Sequence, residues 1–187
     1  MEILVIPVVN GDVHYYSYLI VPADSTTRGW EDLRGKALAF SDPLSNSGHL
    51  APRYLLMQRG ETPEGFFKRT VFTYSHDNSI RAVADKLVDG AAVDSLVYDY
   101  MLALHPELAK KTRVIYKSQP FGIPPVVVHP RISPALRKQL KQALLHMHRD
   151  PAGQAALARL MVDRFLRCDD HLYDSMRTMV AKVRINR

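Results

Sequence analysis

The sequence predicts an α/β fold, and three observations carry that prediction. Short apolar runs alternate with longer segments of helical periodicity, the order that builds a parallel or mixed sheet covered by helices. The junctions between them are polar and open on helix-capping residues, as in Ser41–Leu50, Tyr74–Ser79 and Val88–Ser95. The composition, 47% hydrophobic and 24% charged over 187 residues, suits a chain that buries a core, as one domain or as two small lobes.

Taken in order, strands are predicted over 3–9 and 14–22, the second with Tyr16, Tyr18 and Ile20 alternating with Tyr15, Ser17 and Leu19. Asp32-Leu33-Arg34-Gly35 gives a short turn of helix, and the apolar run that follows predicts a strand over 36–41. A helix over 47–59 carries Leu50, Tyr54, Leu55 and Leu56 at helical spacing and ends near Gly60. Thr62-Pro63-Glu64 opens a short helix through Lys68: the Thr caps, the Pro takes the first helical position and the Glu complements the dipole. A short strand over 70–75 precedes Asp77-Asn78-Ser79, which caps a helix running to about Leu87. Then come a buried strand at Gly90–Val93, a helix over 95–104, and strands over 113–118 and 124–129. Ser133-Pro134 opens a long amphipathic helix through His148, and two or three more helices fill the C-terminal third. Turn formers concentrate in Pro22–Trp30 and Gln119–Pro125, which mark crossings between lobes.

Several classes are set aside by composition. A single cysteine, Cys168, excludes an internal disulfide framework, and no apolar run approaches the ~20 residues of a membrane span. Met1-Glu2-Ile3-Leu4-Val5-Ile6-Pro7 has neither a basic n-region nor a small-residue cleavage site, and reads as strand interior rather than a signal peptide. The formal net charge of +6 suits an anionic ligand or a nucleic-acid surface. The late basic residues, however, lie among acidic and apolar ones on helical segments, which reads as solvated helix face, and no nucleic-acid partner is inferred. The scattered histidines show no metal-ligand spacing, and His146 and His148 diverge on a helix, so no metal or other cofactor is called for.

The chemistry concentrates at the junctions. Ser41-Asp42-Pro43-Leu44-Ser45-Asn46-Ser47-Gly48 passes from a strand through a Pro turn into a helix. The N–H groups of a first helical turn and the positive end of its dipole suit an anion. Serine hydroxyls add donors, and Gly48 lets a ligand approach the backbone. In an open α/β sheet, ligands sit outside the carboxyl ends of the strands. Ser45–Ser47, His76 and Asp94–Ser95 are therefore expected to converge on one crevice. His76 would donate to an oxyanion, more strongly if protonated, against the reading of a core or capping histidine. Asp94 divides between ligand hydrogen bonding and capping the next helix, whereas Asp42 reads as a stabiliser of the turn before Pro43. Tyr98 reads as packing. Tyr15, Tyr16 and Tyr18 read as strand-face residues, one of which could reach the crevice.

These motifs resemble the phosphate/phosphonate (phosphite)-binding proteins of ABC importers, in the type II periplasmic binding protein superfamily. The segments that carry the resemblance are Asp32–Lys36, Ala39–Pro43, Ser45–Gly48, Thr73–Ile80, Ala82–Ala84 and Val88–Ser95, with weaker similarity in the C-terminal helices. The resemblance implies two α/β lobes with a ligand cleft between them, a periplasmic location, and an ABC permease and ATPase as partners. It implies that Ser45, Asn46, Ser47, Gly48, His76 and Asp94 hold the ligand. The acidic residues that pair with a ligand amine have no match in Gly122-Ile123-Pro124-Pro125, which favours phosphite, methylphosphonate or phosphate over an aminophosphonate.

Family members carry a longer N-terminal portion with the export signal and most of the first lobe. Residues 1–24 accordingly match a remnant of lobe one, 25–120 a complete α/β lobe two, and 121–187 the return strand and C-terminal helices of lobe one. A partial lobe would expose apolar faces near Ile3–Val9, Tyr15–Val21 and Pro125–His129, giving a homo-oligomer and weak, millimolar ligand binding. Two alternatives remain. One is a ligand-sensing domain of the same fold from a signalling protein. The other is a hydrolase using Ser47, His76 and Asp94 as nucleophile, base and orienter, although no nucleophile elbow surrounds Ser47.

Overall fold

The structure is a computed structural model describing residues 1–185. The strands and helices are, in order, β1 (Glu2–Val8), β2 (His14–Tyr15), β3 (Ser17–Pro22), β4 (Ala37–Phe40), α1 (Ala51–Met57), α2 (Pro63–Phe66), β5 (Arg69–Phe72), α3 (His76–Ala84), β6 (Gly90–Asp94) and α4 (Ser95–Leu104). There follow α5 (Leu108–Lys111), β7 (Thr112–Lys117), β8 (Phe121–Gly122), β9 (Val126–Val128), α6 (Pro134–His146), α7 (Pro151–Arg159), β10 (Arg164–Leu166) and α8 (Asp174–Ile185). A π turn at Asn46–Leu50 leads directly into α1. The chain forms two compact units, Tyr15–Pro120 with the residues from Met176 onward, and Met1–His14 with Phe121–Ser175.

The first unit holds a five-stranded mixed sheet in the order β5-β4-β6-β3-β7. β4 runs parallel to β5 and β6, so the carboxyl ends of these three strands share one edge, where the three polar junctions begin. β3 runs antiparallel to β6 and β7. Both faces of the sheet are covered. Ile20, Ala39, Ala91 and Val93 pack with Ile80, Val83 and Met101 on one side. Leu19, Val21, Leu38 and Phe40 pack with Trp30, Leu33, Leu56 and Phe66 on the other. A strand buried on both faces reads as a continuous apolar run, which is why Leu19-Ile20-Val21 suits the interior of the sheet.

That placement corrects the expected boundary. The strand expected over 14–22 is split, and β3 belongs to the five-stranded sheet instead of a lobe-one remnant, because it is hydrogen-bonded on both sides by β6 and β7. The residues from Met176 onward also group with this unit, although the sequence places them in lobe one. The strand expected over 70–75 ends at Phe72, and Tyr74 then takes a left-handed conformation, φ 62°, that no strand continues through. Ser75, not Asp77, caps α3, its Oγ accepting the Asn78 N–H, and His76 thereby becomes the first helical residue.

The second unit is a three-stranded antiparallel sheet, β10-β1-β9, with Pro7 opposite Phe165 and Ile3 opposite Val127. Val5, Leu157 and Phe165 form its buried cluster, with Leu144, Leu145 and Met147 packed against them. α6 buries no residue completely, and Leu136 and Leu140 on it are exposed, as is Val127 on β9. The strand expected over 124–129 shrinks to β9, since Pro124 and Pro125 have no N–H to give a ladder.

Candidate anion-binding site

β4 leads into the buried Ser41, whose N–H donates to Gly48 O at 3.2 Å. Asp42 Oδ1 accepts the Leu44 N–H at 2.7 Å, which gives Asp42 the turn-stabilising role. Ser45 is the helix cap: its Oγ accepts the Gly48 N–H at 2.9 Å, and its carbonyl accepts the Leu50 N–H at 3.0 Å, five residues on. This wider π turn, a form frequent at functional positions, replaces the first α-turn expected from 47 onward. The N–H groups of Asn46 and Ser47 have no protein acceptor among the described residues. They are the orphan donors that make a helix start attractive to an anion.

Gly48 has a reason to be glycine beyond ligand access. A Cβ there would lie 2.5 Å from Ser41 Oγ, 2.6 Å from Ser41 Cβ and 3.0 Å from His76 Cε1. The π turn closes onto Ser41 and His76 only because that atom is absent.

Asn46 and Ser47 are tied inward. Asn46 Nδ2 donates to the Tyr15 hydroxyl at 3.0 Å, and the Ser47 side chain bonds to the same hydroxyl. Ser47 is itself buried, and its carbonyl accepts the Ser17 hydroxyl at 2.6 Å. The hydroxyl of Ser47 thus has a protein partner, and its backbone N–H is what it offers a ligand. Burial pushes the Tyr15 hydroxyl up to about 12, so it stays protonated. Tyr15 is the tyrosine of the three that joins the cluster. Tyr16 lies under Lys117 Nζ at 3.5 Å, Tyr18 packs edge-on to Tyr98, and the Tyr98 hydroxyl bonds to Thr112.

His76 sits at the centre of these contacts. Its Nδ1 accepts the Asp94 backbone N–H at 3.0 Å and lies 2.8 Å from Ser41 Oγ. The single proton of the Ser41 hydroxyl is shared between this nitrogen and Ala92 O, at 3.1 Å. Because Nδ1 receives an N–H, the neutral ring carries its proton on Nε2, which points to Ser45 Oγ at 3.4 Å. Burial lowers the His76 pKa, outweighing the nearby Asp77 and Asp42 carboxylates. A second proton would face the Asp94 N–H, so of the two forms expected to donate, neutral and protonated, the surroundings of the ring favour the neutral imidazole.

Asp94 caps α4, its Oδ1 accepting the N–H of Leu96 at 2.7 Å and of Val97 at 3.4 Å. Burial pushes its carboxyl up to about 6 despite those two donors. Ser95 Oγ accepts the Tyr16 N–H and serves the sheet edge. The carboxylate of Asp94 faces its own helix, and the His76 nitrogen next to it accepts a proton where an acyl-transfer triad needs a donor to the carboxylate. A hollow of about 280 Å³ adjoins the loop, bordered by Pro43, Ser45, His49, Arg53, Val180 and Val183. Among the described residues no three His, Cys, Asp or Glu side chains are placed to hold a metal, and no helix is long and apolar enough to cross a membrane.

A family model described as "ABC transporter, phosphonate, periplasmic substrate-binding protein" matches residues 1–173. The phosphonates-binding periplasmic protein of Escherichia coli is 32% identical over 155 residues, covering 81% of this chain and 46% of that protein. The chain thus spans about half the length of this curated relative. The crystal structure of a binding protein component of a Pseudomonas aeruginosa ABC phosphonate transporter is 28% identical, with a TM-score of 0.87 over 95% of this chain and 61% of that one. PhnD1 from Prochlorococcus marinus, solved in complex with methylphosphonate, shares the fold at 21% identity and a TM-score of 0.79, over 98% of this chain and 72% of that one. These are type II periplasmic binding protein folds. The chain belongs to the periplasmic substrate-binding family of phosphonate ABC transporters.

Proposed function

We propose that this chain binds a small phosphorus oxyanion, such as phosphite, methylphosphonate or phosphate, in the periplasm, as the solute-binding component of an importer with a membrane permease and an ATPase. The observation that carries the reading is the juxtaposition, at one sheet edge, of orphan N–H groups at Asn46 and Ser47 with a histidine whose tautomer is fixed to present Nε2–H. Donors held in place before the ligand arrives cost no reorganisation on binding. Membership of a phosphonate-binding family agrees with that donor set. The test is calorimetric titration of the chain with methylphosphonate, phosphite and phosphate. Replacing His76 by Ala should weaken binding by about 1.5–3 kcal/mol, the range for a hydrogen bond to a charged group. Unchanged affinity removes His76 from the site, and no heat with any of the three removes the function.

The importer assignment rests on family membership, and a gene neighbourhood with a permease and an ATPase separates it from a sensory domain of the same fold. Exposed Leu136, Leu140 and Val127 on the second unit support self-association as part of the reading. Light scattering that reports a monomer at high concentration removes that part.

A further inference from the structure

We infer that the hollow of about 280 Å³ beside the Ser45 loop is a second ligand site, which takes a short aliphatic monocarboxylate on Arg53. It is separate from the oxyanion site and does not depend on it, since Asn46, Ser47 and His76, the donors of that reading, do not line the hollow. Ser45, His49 and Arg53 follow one another at intervals of four residues, which brings one face of the π turn and α1 to the wall. Leu44 borders it from the loop, and Val180 and Val183 border it from α8.

That wall holds an unanswered charge. Among the described residues three arginines are half-buried, Arg53, Arg113 and Arg137. Arg113 donates to the carbonyls of Ser25 and Thr27, and Arg137 pairs with Glu2 and donates to Pro130 O. Arg53 has no hydrogen bond, ion pair or ring contact among the described residues. α1 has no acidic residue to offer it, and the one acid of α8, Asp174, lies in the first turn of that helix. The buried His49 gives Nδ1–H to Pro43 O at 2.9 Å and stands edge-on between the rings of Phe40 and Phe72, each 5.0 Å away. Arg53 is therefore the group in this wall that can receive a negative charge.

The walls decide which anion. A guanidinium is a flat fork that a carboxylate fills with two parallel hydrogen bonds, and these strengthen where apolar walls exclude water. One cation balances one negative charge, whereas a phosphate dianion would set its second charge against leucine and valine. Leu44, Val180 and Val183 suit a few methylene groups instead. The volume lies just below the usual range of ligand pockets, which limits the occupant to a short chain.

The experiment is a methyl-region NMR titration of the 187-residue chain with acetate, butyrate, butyramide and methylphosphonate. Butyrate should shift the methyl signals of Leu44, Val180 and Val183 saturably. Each methylene added between acetate and butyrate should tighten binding by about fourfold, the value of a buried CH2. Butyramide, which has the shape without the charge, should bind roughly tenfold more weakly or worse. Arg53→Gln should weaken butyrate by roughly tenfold or more. Val180→Phe, which fills the hollow and leaves Arg53 in place, should weaken butyrate more than acetate, and the remaining methyl signals report that each variant is folded. No saturable shift at these three residues overturns the inference. So do equal binding of butyrate and butyramide by the natural chain, and a folded Arg53→Gln variant of natural butyrate affinity. Methylphosphonate moving the same methyl signals with the affinity of butyrate also overturns it, by making the hollow a place for anions in general.

Discussion

In the fold the Asp94 carboxyl is pushed up to about 6 from an ordinary 3.8, because burial outweighs the N–H groups of Leu96 and Val97 that favour its ionised form. A raised carboxyl pKa means that the folded chain holds the proton more tightly than the unfolded one. Ionisation therefore costs stability in full above the folded value, and the cost fades as pH falls from about 6 to 3.8. A displacement of about two pK units corresponds to about 3 kcal/mol at 1.36 kcal/mol per unit. Against a total stability of about 5–15 kcal/mol that is a large share. Asp94→Asn keeps the α4 cap and removes the charge, so at about pH 8 the variant should be more stable by up to about 3 kcal/mol. The gain should shrink on acidification and vanish below the ordinary carboxyl value. Urea unfolding followed by the fluorescence of the single, buried Trp30 measures both ends of that range. A variant less stable than the natural chain at alkaline pH, or a gain independent of pH, would refute the reasoning.

Other substitutions test neighbouring parts of the cluster. Gly48→Ala places a methyl 2.5 Å from the buried Ser41 Oγ and should cost about 1–3 kcal/mol in chemical denaturation, and a variant of natural stability would show that the π turn can relax. Tyr15→Phe strips the hydroxyl from Asn46 Nδ2 and the Ser47 side chain and should cost about 1–3 kcal/mol, with equal stability arguing that water replaces it. His76 has its folded pKa lowered from 6.5, so the unfolded chain takes up that proton first and stability should fall as pH drops below 6.5. His76→Gln should lose that part of the acid sensitivity, read from unfolding midpoints at several pH values, and an unchanged pH profile would contradict a buried, neutral ring.

The alternation of elements and all three polar junctions were legible in the sequence because each is a local pattern. Thr62-Pro63 and Ser133-Pro134 open helices as capping rules require, and Ser133 Oγ accepts the Leu136 N–H. What escaped was decided by distant partners. β10 is only Arg164-Phe165-Leu166, too short for a period, and exists because β1 pairs with it. The tautomer of His76 is set by a backbone N–H from Asp94 across the sheet edge, which no spacing encodes. The π turn depends on the fit of Gly48 against Ser41 and His76. Tyr15 is part of the cluster through Asn46, a contact that alternation along its own strand leaves open. The placement of β3 was within reach: Leu19-Ile20-Val21 is unbroken by polar residues, and that pattern marks an interior strand.

The division of the larger unit between two stretches of chain has a consequence for synthesis. Its five strands are all present once Pro120 has been made, but Val180 and Val183, which border the hollow beside Ser45 and Arg53, come from the distant stretch after Met176. Met179 and Val183 are buried in the finished fold. On the ribosome the sheet can therefore assemble while the flank of the Ser45 loop still lacks its cover, until a whole second unit has been translated in between. Contacts of such long sequence separation are slow to close, and the surface they hide stays exposed meanwhile. The nascent chain should accordingly reach protease resistance at α3 and β6 well before it does so around α1, and a chaperone that shields apolar surface would find its window in that interval.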